Sequence, residues 1–386
     1  MPNKAASRLV LAKYSESLVT DTARSALQEV GGRVSCAFVF CTADYRPHLA
    51  DFLEILQVHG HIPMLIGCSG AGLISTGAEA ETGSGFSLLM LHLPQTQLVP
   101  FSFSATDAPD WEDPRAWRNA SGDRDVDAWF VLAHPMNVPV EQWISTWSDA
   151  FPNTPCIGGL GSTGNSADDI FVFRDGELLE GAVAIGFRGG VKINTIVSQG
   201  CRPIGEALPV TGAEENIIQT LGSRPACQVL DEAFQALTAN EKARARGNLF
   251  AGLAMTEYRD EFHRGDFLIR NILGADQESG VVAVAAHPRV GQTVQYQLRD
   301  ARAADDDLRH LAGLLAADGI KPFASLVFSC GGRGRALFGK GNHDASMLAD
   351  IFTPHPSSGF FCNGEIGPVG GKNFVHGYTV SAALFS

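Results

Sequence analysis

CAFVFC at residues 36–41 and GCSGAG at 67–72 bracket a helix-patterned segment at 46–60, and GFSLLML follows at 85–91. The same order recurs twice. AWFVLA at 128–133, a helical stretch at 138–151, GGLGSTG at 158–164 and GAVAIGF at 181–187 form a second copy. SLVFSC at 325–330, a helical stretch at 342–352, FCNGEIG at 361–367 and GYTVSAALF at 377–385 form a third. The spacing from Phe40 to Gly70 equals that from Val131 to Gly161, so the first two copies align without a gap, and the interval from Phe328 to Gly364 is six residues longer. A period of about ninety residues is too long for a solenoid and indicates duplicated sub-domains. The recurrent glycine allows positive φ and close approach of a backbone or ligand, which places the chemistry on turns. Runs such as 38–40, 129–132 and 326–328 are apolar on both faces, as centrally buried strands are. The expectation is an α/β protein in which duplicated strand–helix–strand units form two packed mixed β-sheets with helices outside, in four layers.

The chain has 386 residues, more than one core usually supports, so two domains or two closely packed halves are expected. Hydrophobic residues make up 45% and charged residues 18%, the composition of a folded protein. A net charge of −13 argues against nucleic-acid binding, which needs a basic face to neutralise phosphates. The first 19 residues contain no apolar core of signal-peptide length, and no run of about eighteen apolar residues suggests a membrane span. The eight cysteines are scattered without a CxxC pair, which fits reduced thiols in a cytoplasmic protein. His343, Asp344, His355 and His376 match no common coordination motif, so neither a metal nor a cofactor is expected.

Residues 20–30 read as a helix capped by Thr20 or Asp21 and ended by Gly31. Leu49, Phe52, Leu53 and Leu56 fall on one buried helix face. Residues 105–126 read as a loop, and 214–237 as helical with a break near 222–225. The charged stretch 240–247 (NEKARARG) reads as the domain seam. Four successive strands follow at 249–256, 266–273, 281–286 and 293–299, with connections short enough for antiparallel pairing. Residues 305–317 read as an amphipathic helix whose acidic first turn complements its dipole.

Several stretches carry candidate chemistry. GLGSTG at 159–164 fits GxGxxG, but a dinucleotide site needs a helix directly after the glycines, whereas 165–169 is short and polar and 171–174 reads as a strand. GCSGA at 67–71 is one residue short of a nucleophile elbow, with Cys68 and Ser69 as possible nucleophiles and His134, His287 or His376 as possible bases. A structural turn or ligand-facing loop is the alternative there. CGGRGRALFG at 330–339 sets Arg333 and Arg335 among Gly331, Gly332 and Gly334 after a strand. Backbone nests and arginine forks suit carboxylates or phosphates, and arginines bridged to acidic neighbours are the competing reading. On the third glycine turn, Asn363 suits a tight turn. Glu365 suits either an ammonium group or an ion pair to Arg333 or Arg335.

Residues 266–299, 329–339 and 359–385 closely resemble the C-terminal half of FIST proteins (F-box and intracellular signal transduction), and the turns at 67–72 and 158–164 fit that family's N-terminal half. The resemblance runs from about Arg33 to the end. It implies an N-terminal helix and arm at 1–30, a FIST N-like domain with two repeats at 31–240, and a FIST C-like domain with antiparallel strands and a third repeat at 241–386. It further implies a sensory module for small ligands, with amino acids or related carboxylates suggested, acting through a signalling partner. No catalytic residues carry over from the family. The ligand-binding candidates are Arg333, Arg335, Gly332, Gly334, Asn363, Glu365, Cys68 and Ser69. A hydrolase or acyl-transfer enzyme using the 67–71 turn, and a protein-interaction scaffold, are the alternatives.

Overall fold

A computed structural model describes residues 2–164, 166–257, 261–263 and 265–386. Asn165, at the head of the polar stretch after the second glycine turn, lies outside them. The chain divides into two compact units, one of Met1–Val197, Leu308–Val375 and Thr379–Ser386, the other of Ser198–Asp307 and His376–Tyr378.

The first unit holds three six-stranded sheets built on one plan. Cys36–Cys41 runs parallel to Leu65–Ser69 and antiparallel to Phe86–His92, which pairs in turn with Lys4–Val10. Ala128–Ala133 has the same relation to Cys156–Leu160 and to Gly181–Arg188, with Gln97–Ser104 beyond. Ala324–Cys330 repeats it with Ser357–Cys362 and Thr379–Phe385, and Ile193–Gln199 lies beyond. The last two strands of every sheet come from a different copy. The hairpin Leu73–Ser75/Ala78–Ala80 of the first copy extends the third sheet. Val172–Arg174/Glu177–Leu179 of the second extends the first sheet. Glu365–Val369 of the third, with Lys372–His376 beside it, extends the second sheet. The exchange is cyclic and closes on itself.

Alternation along the strands sends one set of side chains inward and the other outward. The inward set forms a single core common to all three sheets, including Phe38, Phe40, Phe130, Leu132, Leu326, Phe328 and Phe385. Rings from different sheets touch there, Phe38 on Phe130 at 5.6 Å, Phe40 on Phe328 at 6.1 Å and Phe130 on Phe385 at 5.3 Å between centroids. The outward set of each sheet packs under its own helices: Glu16–Val30 and Leu49–Gly60 on the first, Pro114–Ala120 and Val140–Ala150 on the second, Ala301–Ala317 and His343–Phe352 on the third. The mixed α/β class and the external helices stand. The expected two-sheet, four-layer packing does not: strands apolar on both faces require cover on both sides, and three sheets sharing one core supply it as well as two.

The repeat register is corrected too. Val39, Val131 and Val327 lie opposite Gly67, Gly158 and Gly359. A Cβ on any of these glycines would meet the facing valine's carbonyl oxygen at 1.8 Å. That close approach sets the alignment, so the interval is one residue longer in the first copy than in the second. The third-copy counterpart of Gly70 and Gly161 is Cys362, not Gly364.

In the second unit six antiparallel strands close into a barrel, in the order Leu208–Glu214, Ile217–Leu221, Val282–Val284, Phe267–Ala275, Leu249–Ala254 and Thr293–Arg299, the last pairing back to the first. In chain order this barrel falls between Ile193–Gln199 and Ala301–Ala317, where the first copy passes directly from its edge strand Lys4–Val10 to its helix Glu16–Val30. It is an insertion in the third copy. The helix expected over 214–237 is a β-hairpin turning at Glu215, whose φ is +50°, and only Ala226–Gln235 is helical, starting after Pro225. Residues 240–247 form most of the helix Ala239–Ala245, held by a capping box from Thr238 to Glu241. The loop expected over 105–126 contains the helix Pro114–Ala120, which buries Trp117. Ala301–Ala317 begins four residues before Asp305, so its acidic residues miss the first turn.

Candidate functional site

The three glycine turns meet inside the first unit and are sewn together by Ser162. Its Oγ accepts the Ala71 N–H at 2.9 Å and donates to the Phe361 carbonyl, while its own N–H reaches the Ser69 carbonyl at 3.0 Å. Cys68 and Ser69 are part of this seam and are fully buried. Burial, and the nearby Cys41, push the Cys68 thiol well above its ordinary range, and the Ser69 Oγ accepts the Phe171 N–H at 3.1 Å. Neither side chain is activated as a nucleophile.

The loop after Ala324–Cys330 turns at Gly334, whose φ of +67° suits glycine, and runs into the short helix Arg335–Phe338. Its two arginines part company. Arg335 is exposed, 3.8 Å from Glu81 Oε1, and its N–H donates to both Glu81 oxygens at 3.0 and 3.1 Å. A Cβ on Gly334 would meet this carboxyl group at 2.7 Å. Two residues back, Glu79 accepts the N–H groups of His343 and Ala345 at 3.1 and 2.9 Å, at the start of His343–Phe352. The expected anion nest is therefore filled by carboxylates of the first copy's hairpin segment.

Arg333 turns inward and is 1% exposed. Its Nε and Nη2 donate to Asp344 at 2.7 and 2.9 Å, a bidentate fork. Asp344 also accepts from Ser329 Oγ at 3.0 Å and lies 3.0 Å from His343 Nδ1. Burial alone would raise the Asp344 carboxyl, but the Arg333 charge and these hydrogen bonds hold it well below the usual carboxylate range. Phe338 lies under the guanidinium at 5.3 Å and stacks on His343. Glu365, 0% exposed, accepts the Thr379 N–H at 3.2 Å. Burial raises its carboxyl well above the usual range, against the Thr379 N–H, the Arg333 charge and a hydrogen bond from the Cys330 thiol. Arg333 Nη1 and Glu365 Oε1 are both buried without a hydrogen-bond partner among the described residues. Exposed Gly331 and Asn363 flank this centre along the chain, Gly331 N donating to the Cys362 carbonyl at 3.1 Å and Asn363 N to that of Leu160 at 3.2 Å. The Gly332 N–H reaches Cys330 Sγ at 3.4 Å.

Of the sequence candidates, Arg333 and Glu365 come together, with Gly332 beside them. Arg335 and Gly334 serve the Glu81 contact, and Cys68 and Ser69 belong to the buried seam. Sequence reasoning missed Glu79, Glu81 and Asp344. The alternation of AEAE at 78–81 was a signal for the first two, since it puts both carboxylates on one side of a strand. A cleft of about 380 Å³ was also missed, lined by Arg46, His134, Asn137, Asp168 and Glu180 among others. Burial lowers the His134 pKa, and its Nδ1 accepts the Met136 N–H at 3.3 Å. No helix among the described residues is long and apolar enough to cross a membrane.

Known proteins place this architecture. Residues 35–224 match the FIST N domain and 226–368 the FIST C domain, so the junction falls inside the barrel unit. The uncharacterized protein Rv0628c of Mycobacterium tuberculosis is 34% identical over 357 residues, 92% of each chain. The uncharacterized protein Mb0898c of Mycobacterium bovis is 33% identical over 368 residues, 95% of this chain and 94% of its own. The chain belongs to the FIST family, implicated in signal transduction, and its FIST N and FIST C domains together span most of its length.

Proposed function

We propose that this protein is a sensory module for a small ligand bearing a carboxylate and an ammonium group, an amino acid or a close relative, which acts in signalling through a partner. The observation that supports this reading is the buried pair of Arg333 Nη1 and Glu365 Oε1. Both atoms are desolvated with no hydrogen-bond partner among the described residues, a costly arrangement that a zwitterion would satisfy at both ends, its ammonium drawing the proton off Glu365. Asp344 pre-organises the guanidinium by occupying its other edge. The 380 Å³ cleft is a second location, favoured by its volume, which is within the range of small-molecule sites, and by its mixed charges.

Thermal unfolding against a panel of amino acids and simple carboxylic acids tests the proposal. A ligand at a hundred times its dissociation constant adds about 2.7 kcal/mol. Glu365→Gln should weaken amine-bearing ligands at least about tenfold and leave simple carboxylates nearly unaffected. A stabilising ligand that is indifferent to Glu365→Gln but lost on Arg46→Ala moves the site to the cleft. No stabilisation by any compound overturns the ligand reading in favour of a scaffold.

A further inference from the structure

Cys330 differs from the other cysteines of this chain: it is partly exposed, and the other seven are buried. It ends the strand Ala324–Cys330 directly opposite Cys362 in the parallel register of Ser357–Cys362. In-register neighbours on parallel strands point to the same face about 4.8 Å apart, within the Cα separation that a disulfide spans. The Cys330 sulfur lies among polar groups. The Gly332 N–H points at it from 3.4 Å, the Glu365 carboxyl lies close enough to interact with it, and the Arg333 charge acts on it. Arg333 Nη1 and Glu365 Oε1, both buried, are the two atoms there without a partner among the described residues. A cysteine that is partly exposed beside a cation, a proton-donating carboxyl and a second thiol is placed for fast and reversible oxidation.

We propose that Cys330 is a reactive thiol oxidised by hydroperoxides and that Cys362 converts the product to a disulfide. The Cys330 Sγ proton is lost to solvent, and the thiolate is held by the Gly332 N–H, by Arg333 and by the protonated Glu365 carboxyl. The sulfur attacks the terminal oxygen of the hydroperoxide. An S–O bond forms, the O–O bond breaks, and the leaving oxygen takes its electron pair and the proton from Glu365, departing as water or an alcohol. The Cys362 sulfur then attacks the sulfenic sulfur of Cys330. The S–S bond forms, the S–O bond breaks, and hydroxide leaves with the Cys362 proton as water. Two thiols lose two electrons in all, and one hydroperoxide gains them. The chemistry does not depend on any bound ligand.

The full chain treated with an equivalent of hydrogen peroxide should lose two hydrogens in mass, and peptide mapping should join Cys330 to Cys362. In Cys362→Ser the sulfenic acid should persist and be trapped by dimedone at Cys330 alone. Glu365→Gln, which cannot deliver a proton to the leaving oxygen, should slow peroxide oxidation of Cys330 at least about tenfold with an unchanged circular dichroism spectrum. Oxidation spread over several cysteines, no faster oxidation at Cys330 than in a free thiol peptide, or no dimedone adduct in Cys362→Ser overturns the proposal. An unchanged oxidation rate in Glu365→Gln removes Glu365 as the proton donor and overturns that step.

Discussion

Replacing Gly67, Gly158 or Gly359 by alanine tests the threefold plan where it is tightest. Each added Cβ would stand 1.8 Å from a carbonyl oxygen of the neighbouring central strand, against a floor of 3.0 Å for real contacts, so the strands must part by at least 1.2 Å (3.0 − 1.8). These oxygens belong to buried residues with no room to retreat, since Val39 and Val131 are 0% and Val327 2% exposed. Parting by that amount loses about two ladder hydrogen bonds at about 1 kcal/mol each and adds about 1–3 kcal/mol of overpacking, in all about 3–5 kcal/mol. Urea unfolding followed by tryptophan fluorescence reads the effect. All five tryptophans lie between residues 111 and 147, so the signal comes from the first unit alone. Gly313→Ala in Ala301–Ala317 is the control: nothing lies within 4 Å of its Cβ, and the helix should gain about 0.5–1 kcal/mol. If any one of the three core variants falls within about 0.5 kcal/mol of the parent, the three positions are not equivalent and the reasoning is wrong.

Glu365→Gln should become progressively more stable than the parent as pH rises. The raised carboxyl contributes stability that is complete below its unfolded pKa of about 4.3 and lost as pH rises through the higher folded value. Urea midpoints at pH 5 and pH 8 check it, and a gap that does not change with pH refutes it. Asp344→Asn strips the buried Arg333 of its counter-charge and should cost about 3–5 kcal/mol at neutral pH. Because the Asp344 carboxyl is depressed, its contribution is constant above its unfolded pKa of about 3.9 and lost as pH falls toward the folded value, so acid titration of parent and variant should converge only below that point. Glu81→Ala vacates the Arg335 N–H and should make the variant, unlike the parent, gain thermal stability from millimolar sulfate. An equal response of the two proteins would show that Glu81 does not occupy an anion nest.

Local pattern made the repeats visible but not their assembly. The runs 36–41, 128–133 and 325–330 read as buried strands because every residue is apolar or small, and the structure buries all but Cys330. Which hairpin completes which sheet is set by contacts between copies, and no periodicity within a copy encodes it. The helix reading of 214–237 failed because Ile217, Ile218 and Leu221 satisfy a helical and a strand spacing equally, and the turn at Glu215 decides between them. At the candidate centre, glycines around Arg333 and Arg335 signalled an unusual backbone. That one guanidinium is locked to Asp344 while the other faces solvent depends on where His343–Phe352 packs.

The cyclic exchange of hairpins also sets a timetable for synthesis. The strand Leu73–Ser75 has its partner in Ser357–Cys362, and Ser75 Oγ bonds the Ser357 carbonyl across 282 residues of chain. At a translation rate of about 5–20 residues per second, the hairpin emerges roughly 15–55 s before the edge it must cover exists. The first sheet receives its borrowed strands from the second copy, but the second and third sheets stay unfinished until residues 357–385 leave the ribosome. While residues 1–356 are being made the nascent chain therefore carries an uncovered apolar core face and open strand edges, a state that favours chaperone capture, and loss of Thr379–Phe385 would strip a strand from the third sheet and Phe385 from the shared core.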